Sequence, residues 1–155
     1  MRKTLEVTIS AEGRDKGRVY LITEMPATQL EKWAARALLA LASSGVYIPE
    51  DVAQAGIAGI ARLGLQMLGG IKFPEAEPLM DEMMACVQYR AIDRQHPDIP
   101  PRPLNESDIE EVATRVQLRK EWFTLHTGFS IADALSRLNS ESTSAGSLST
   151  ETPPA

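Results

Sequence analysis

The stretch DVAQAGIAGIARLGLQML, residues 51–68, decides how this chain reads. At about 100° per residue, Asp51, Gln54, Arg62 and Gln66 make a narrow polar seam along a helix. Val52, Ile57, Ile60, Leu63, Leu65, Met67 and Leu68 fill most of the remaining circumference. Ala53, Ala55, Gly56, Ala58, Gly59, Ala61 and Gly64 admit a second backbone at close range. Glycine inside a helix costs about 1 kcal/mol relative to alanine, so keeping Gly56, Gly59 and Gly64 implies a tight crossing or a kink. A helix that is apolar or tiny on nearly every side must be covered, by its own chain or by a partner. It is a poor membrane span, because a span needs about 20 predominantly apolar residues and the polar seam interrupts this one.

Toward the N-terminus, Pro49 fits a first helical position, and Glu50 and Asp51 suit the positive helix start. Gly45 stops an earlier helix that opens at Thr28, where Glu31 completes a capping-box spacing, and runs to about Ser43. Leu30, Trp33, Ala34, Ala37, Leu38 and Leu41 share one face of it. Before it, Leu5, Val7 and Ile9 alternate with Thr4, Glu6 and Thr8, and Val19–Ile22 form a second β-rich run. The polar segment 11–17, with Gly13 and Gly17, makes a β-hairpin the natural reading. Two strands alone are marginal in water, so the hairpin must lie on helices or pair with another copy's edge.

Toward the C-terminus, Gly69 and Gly70 close the central helix, and a third is expected over about Pro74–Arg90, with Met80, Met83, Met84 and Val87 as its stripe. The run HPDIPPRPL, 96–104, excludes helix and favours an extended form. Its PPRP matches a PxxP ligand only loosely and reads as a structural loop. Ser107 with Glu110 gives a second capping box for a fourth helix, acidic at its start and carrying Arg115, Arg119 and Lys120 later. Gly128 fits its C-terminal cap, with Phe129 folding back toward Phe123. Ser130 and Asp133 restart a short helix bearing Ile131, Leu135 and Leu138. Residues 139–155 are dominated by serine and threonine and cannot bury enough surface to offset their ordering entropy, so a disordered tail is expected.

At 155 residues the chain is one domain, 1–138, plus that tail. Net charge is −5, which disfavours coating of nucleic acid. The single cysteine, Cys86, cannot form an internal disulfide and suits a reducing cytoplasm. The charged, alternating start does not read as a signal peptide. The expected fold class is α+β and mostly helical: an N-terminal β-hairpin followed by a compact bundle of about four helices plus a short fifth.

Nothing comparable points to catalysis. His96 and His126 lie far apart, and no nucleophile triad, phosphate loop or Cys/His metal cluster frames them. Cys86, beside Val87, reads as a small buried hydrophobe. No enzymatic activity, cofactor or metal is expected. The methionine stripe reads as core, with an adaptable client surface as the alternative. The fourth helix carries two opposed apolar faces, Ile109, Val112, Val116 and Phe123 against Leu118, Trp122 and Leu125. The short helix could cover the second face; otherwise Trp122 marks an interface.

An alternating start, the helix opening MPATQLEKW (25–33) with ARALLALASSG (35–45), a helical body, the late RKEWF (119–123) and the Ser/Thr/Pro/Gly-rich end together resemble the tail assembly chaperones of long-tailed, lambda-like bacteriophages. The resemblance covers most of the chain as an arrangement, with Glu24–Leu41 its most suggestive stretch. It implies a non-virion helper in the host cytoplasm that coats the tape measure protein until tail tube subunits polymerise around it. It also implies that a longer frameshifted form recruits the tail tube protein, this chain being the shorter form. No functional residue transfers one by one. The exposed-apolar argument itself assigns partner contacts to Ile57, Ile60, Trp122 and Leu125, and the same surplus leaves room for a homo-oligomer. A virion structural part, for tail completion or head–tail joining, is the alternative class. A small helical transcription regulator is opposed by the acidic balance.

Overall fold

The period-two alternation at the start of the chain builds the first edge of a sheet. In the computed structural model, which describes residues 1–45, 47–54, 59 and 66–127, β1 (Thr4–Thr8) and β2 (Val19–Thr23) pair antiparallel. Leu5 stands opposite Ile22, and Val7 opposite Tyr20. The turn between them uses Gly17 at φ +82°, a backbone conformation that side chains with a Cβ rarely adopt.

Helix α1 (Ala27–Ser43) follows, close to its expected span, and ends ahead of Gly45 at φ +72°. The Thr28–Glu31 spacing does not form a capping box: Pro26 is the N-cap residue, and no side chain caps the helix. Trp33, Ala37, Ala40 and Leu41 are its buried stripe. Beyond it lie helical turns at Glu50–Gln54 and Gln66–Gly69. Between them Gly59 is helical and buried; Ile57, Ile60 and most of the rest of the decisive stretch fall outside the described residues. So do the short helix expected around 131–138 and the tail 139–155.

The expected bundle of about four helices is corrected here. Among the described residues the fold is a four-stranded antiparallel sheet, in the order β1-β2-β3-β4, with three long helices. The helix expected to reach Arg90 stops at Ala85 as α2 (Phe73–Ala85). Val87–Arg90 are instead strand β3, an interior strand that sets Ile22 opposite Val87 and Tyr20 opposite Tyr89. The misreading has a physical cause. Val87 continues the methionine stripe at helical spacing, while the alternation Val87-Gln88-Tyr89-Arg90 is too short to outweigh it. Arg102–Pro103 form β4, a two-residue edge beside Gln88 and Tyr89. Pro103, which has no N–H to donate, is tolerated at such an edge.

Helix α3 (Val112–Thr127) starts later than Ser107. Residues Glu106–Asp108 are a 3₁₀ turn whose capping box joins Asn105 to Asp108, so Ser107 and Glu110 cap nothing. Helices α2 and α3 pack together, α3 lies against β1, and α1 packs on α2. The core between helices and sheet holds Tyr20, Ile22, Trp33, Leu79, Met83, Leu118 and Trp122, all essentially without solvent exposure. The indole N–H of Trp33 donates to the Leu79 carbonyl at 3.1 Å, which ties α1 to α2. Among the described residues no helix is long and apolar enough to cross a membrane.

Candidate functional site

Two regions concentrate polar chemistry or open surface. The first is a clasp between the hairpin turn and residues 102–111. Asp15, only 1% exposed, accepts hydrogen bonds from the backbone N–H groups of Glu110 (3.0 Å) and Glu111 (2.9 Å). It thereby satisfies two backbone donors just ahead of α3. Burial alone would lift the Asp15 carboxyl. The Glu110 N–H, the Thr114 hydroxyl, the Glu111 N–H and Arg18 together outweigh that and hold it below the ordinary carboxylate value. Arg18 pairs with Asp15 at 3.0 Å and donates to the carbonyls of Ser107 and Asp108.

Asp108 is the second anchor. The Arg102 guanidinium grips it with two 2.7 Å bonds and holds its carboxyl below the ordinary range. Arg102 also lies over the Tyr89 ring, 5.0 Å from its centroid. Tyr20 donates its hydroxyl to the Asp108 carbonyl at 2.6 Å, and burial first of all pushes its pKa up to about 12. Every one of these groups is engaged in holding the backbone in place, so the clasp is equipped to position residues 102–111 rather than to transfer protons.

The second region is a groove of about 670 Å³. One side is the exit of β2 with the start of α1, the floor is the last turn of α2 with the start of β3, and the far side is residues 103–109. Met25, Met84, Val87, Leu104 and Ile109 supply apolar wall. Arg2, Glu24, Glu82, Glu106 and Arg115 stand around it. Leu104 and Ile109 are only partly buried, so the far wall presents usable apolar surface. Met25 and Met84 are themselves 3% and 7% exposed, so they back the wall from the core. The chemistry on offer is non-covalent: burial of apolar side chains inside a charged rim.

Cys86 also lines the groove. Burial pushes its thiol up, and the thiol donates to the Glu82 carbonyl at 3.4 Å. A raised thiol keeps little thiolate at neutral pH, so it lacks the character of a nucleophile. The indole nitrogen of Trp122 makes no hydrogen bond of regular geometry. Its contact with the Cys86 sulfur favours the thiolate slightly, too little to offset burial.

No family model, curated protein or solved structure matches this chain. What the chain offers a partner is set by the geometry of the clasp and the groove.

That geometry moves the expected contacts. Trp122 is fully buried and Leu125 is 9% exposed, which corrects their assignment as partner-binding residues. The reason is aromatic packing. Trp122 sits 4.7 Å from Trp33 and 5.2 Å from Phe123 between ring centroids, and stacks on His126 at 3.9 Å. The exposed large apolar residues of the helix are instead Val112 and Val116. Met83 and Met84 are buried and Met80 partly so, in keeping with a core stripe, although Met84 also reaches the groove.

His126 is structural. Its Nε2 accepts the Met25 N–H at 2.9 Å, so its Nδ1 carries the proton and donates to the Trp122 carbonyl at 2.7 Å. Burial lowers its pKa. His96 is exposed and touches Asp93 at 3.1 Å, remote in sequence from His126. Among the described residues no three His, Cys, Asp or Glu side chains form a group that could hold a metal ion. Ile109 stands in the apolar stripe expected of the fourth helix, but it precedes α3 and lines the groove instead; Leu104 is a lone apolar residue at the end of a proline-rich run, and that isolation is the one signal that marks it.

Proposed function

We propose that this protein is a tail assembly chaperone of the long-tailed bacteriophage type. It shields apolar helical segments of a tape measure protein in the host cytoplasm until tail tube subunits assemble around that protein. The observation that carries this reading is the open groove with a charged rim, whose accessible apolar wall is Leu104 and Ile109 above the buried Met25 and Met84. An amphipathic helix laid into such a groove buries its apolar anchors while its polar face meets the rim. Burial contributes about 25 cal/mol per Å² of apolar surface, and the small guest area keeps binding reversible, as release to tube subunits demands. The exposed Leu39, Tyr47 and Phe73 offer further apolar contact. The arrangement of sequence described above supplies the phage context, and a longer product that recruits the tube protein belongs to the same reading.

Co-expression tests it. The tape measure protein should stay soluble with the intact chain and precipitate with Leu104→Glu/Ile109→Glu, a variant whose own circular dichroism is unchanged. Equal solubility of the client with and without the protein would overturn the proposal. Mass spectrometry of purified particles should find the chain missing from finished tails; finding it there would favour a virion part instead.

A further inference from the structure

The two edges of the sheet are built differently. At one, β4 is two residues long, contains Pro103 and follows Pro100 and Pro101, so it offers almost no free donors. Short, proline-bearing edges resist further pairing. At the other, β1 is five residues in unbroken register with β2, without proline, bulge or lysine. Its hydrogen-bonding direction is fixed at both ends. Ile9 donates to the Arg18 carbonyl at 3.0 Å, and Lys3 accepts from the Glu24 N–H at 2.9 Å. Alternation then turns the N–H and C=O groups of Leu5 and Val7 toward β2 and those of Thr4, Glu6 and Thr8 outward. Among the described residues no strand takes them up.

We propose that β1 pairs antiparallel with β1 of a second copy, with Leu5 on the two-fold axis beside the partner's Leu5. Three observations select this occupant and register. An antiparallel edge is self-complementary under a two-fold axis, so one surface serves both copies. Centring on Glu6 would set two carboxylates directly opposite, which is destabilising. Centring on Leu5 sets Thr4 opposite the partner's Glu6, and Arg2 opposite the partner's Thr8 and diagonal to the partner's Glu6, a favourable charge arrangement. Finally, Leu5 is only partly buried within one copy, whereas Val7 is already 7% exposed. Only a crossing at Leu5 brings two incompletely covered apolar side chains together. The result is one eight-stranded sheet with both helical layers on the same face.

The inference concerns the edge, not the groove, and its readout is mass rather than client solubility, so either proposal can fail alone. Light scattering of the full chain should give twice 17.0 kDa. Thr4→Pro, which removes an outward-facing donor, should give the single-copy mass with unchanged circular dichroism. In a Cys86→Ala background, Leu5→Cys should cross-link to itself under mild oxidation, because a non-hydrogen-bonded antiparallel pair holds its Cα atoms at disulfide distance. A single-copy mass for the unaltered chain would overturn the proposal. So would a dimer that survives Thr4→Pro, or self-cross-linking by Glu6→Cys in preference to Leu5→Cys.

Discussion

The clasp and the groove share one segment, residues 102–111, and treat it in opposite ways. From Asp108 to Glu111 almost every polar group is met: Arg18, Arg102, Tyr20 and Asp15 all reach it at hydrogen-bond distance. A few residues earlier, Leu104 forms apolar wall in the open groove, and Ile109 adds to that wall from within the clasped stretch. Oriented hydrogen bonds lose strength steeply with misalignment, whereas dispersion contacts tolerate small shifts. The clasped end therefore fixes where the segment runs and, with it, where Ile109 meets the groove.

That contrast can be broken most severely at Asp15. Asp15→Ala leaves the partly buried N–H groups of Glu110 and Glu111 without their acceptor and Arg18 without its buried partner. It should lower stability by about 2–4 kcal/mol, read as a shift in urea midpoint with little change in slope. Next comes acid. Asp15 and Asp108 have lowered pKa values in the fold, so their contribution is complete above the unfolded value of 3.8 and is lost as pH falls through the lowered ones. His126 is lowered too, so its contribution is complete above 6.5 and begins to fall below it. An acid titration of stability should thus show a shallow decline starting near 6.5, absent from His126→Gln, and a steep one in the carboxylate range. A titration that is flat down to the carboxylate range would refute the role given to His126.

Arg102→Met should cost less than Asp15→Ala, since it removes one partner of Asp108 while the Asn105 N–H remains bonded to that carboxylate at 2.6 Å. Thermal melts comparing the two variants rank them. The smallest stability effect belongs to the groove. Met84→Leu, a volume-conserving exchange, should cost under about 1.5 kcal/mol and leave client solubility intact, while Leu104→Glu abolishes client solubility with the melt almost unmoved. If the groove variant proved as destabilising as the clasp variant, the division of labour between the two regions would be wrong.

The parts of the fold legible in the sequence are those stabilised by near neighbours. The hairpin and α1 carry complete periodic patterns with glycine or proline punctuation, and both stand where that punctuation puts them. Strand β3 was hidden because Val87 satisfies two periods at once, and four residues cannot decide between them. The entrance of α3 was hidden because the residues leading into it are anchored by Asp15, 95 residues before Glu110. No local spacing reports such a bond, and the Ser107–Glu110 spacing offered a nearer, unused alternative. For the candidate site, the surplus of apolar surface read from residues 51–68 falls mostly outside the described residues. Trp122 looked like an anchor for a partner, yet Trp33, Phe123 and His126 already enclose it.

The bond between Asp15 and the start of α3 bears on how the chain matures during synthesis. The turn holding that carboxylate leaves the ribosome long before the amides it will grip, so the nascent hairpin must wait with its acid in water. Helix α3 gains its fixed beginning only after the intervening segment has been made and threaded back. Joining the two is a long-range closure, and long-range contacts of this kind are what slow a domain's arrival at its native state.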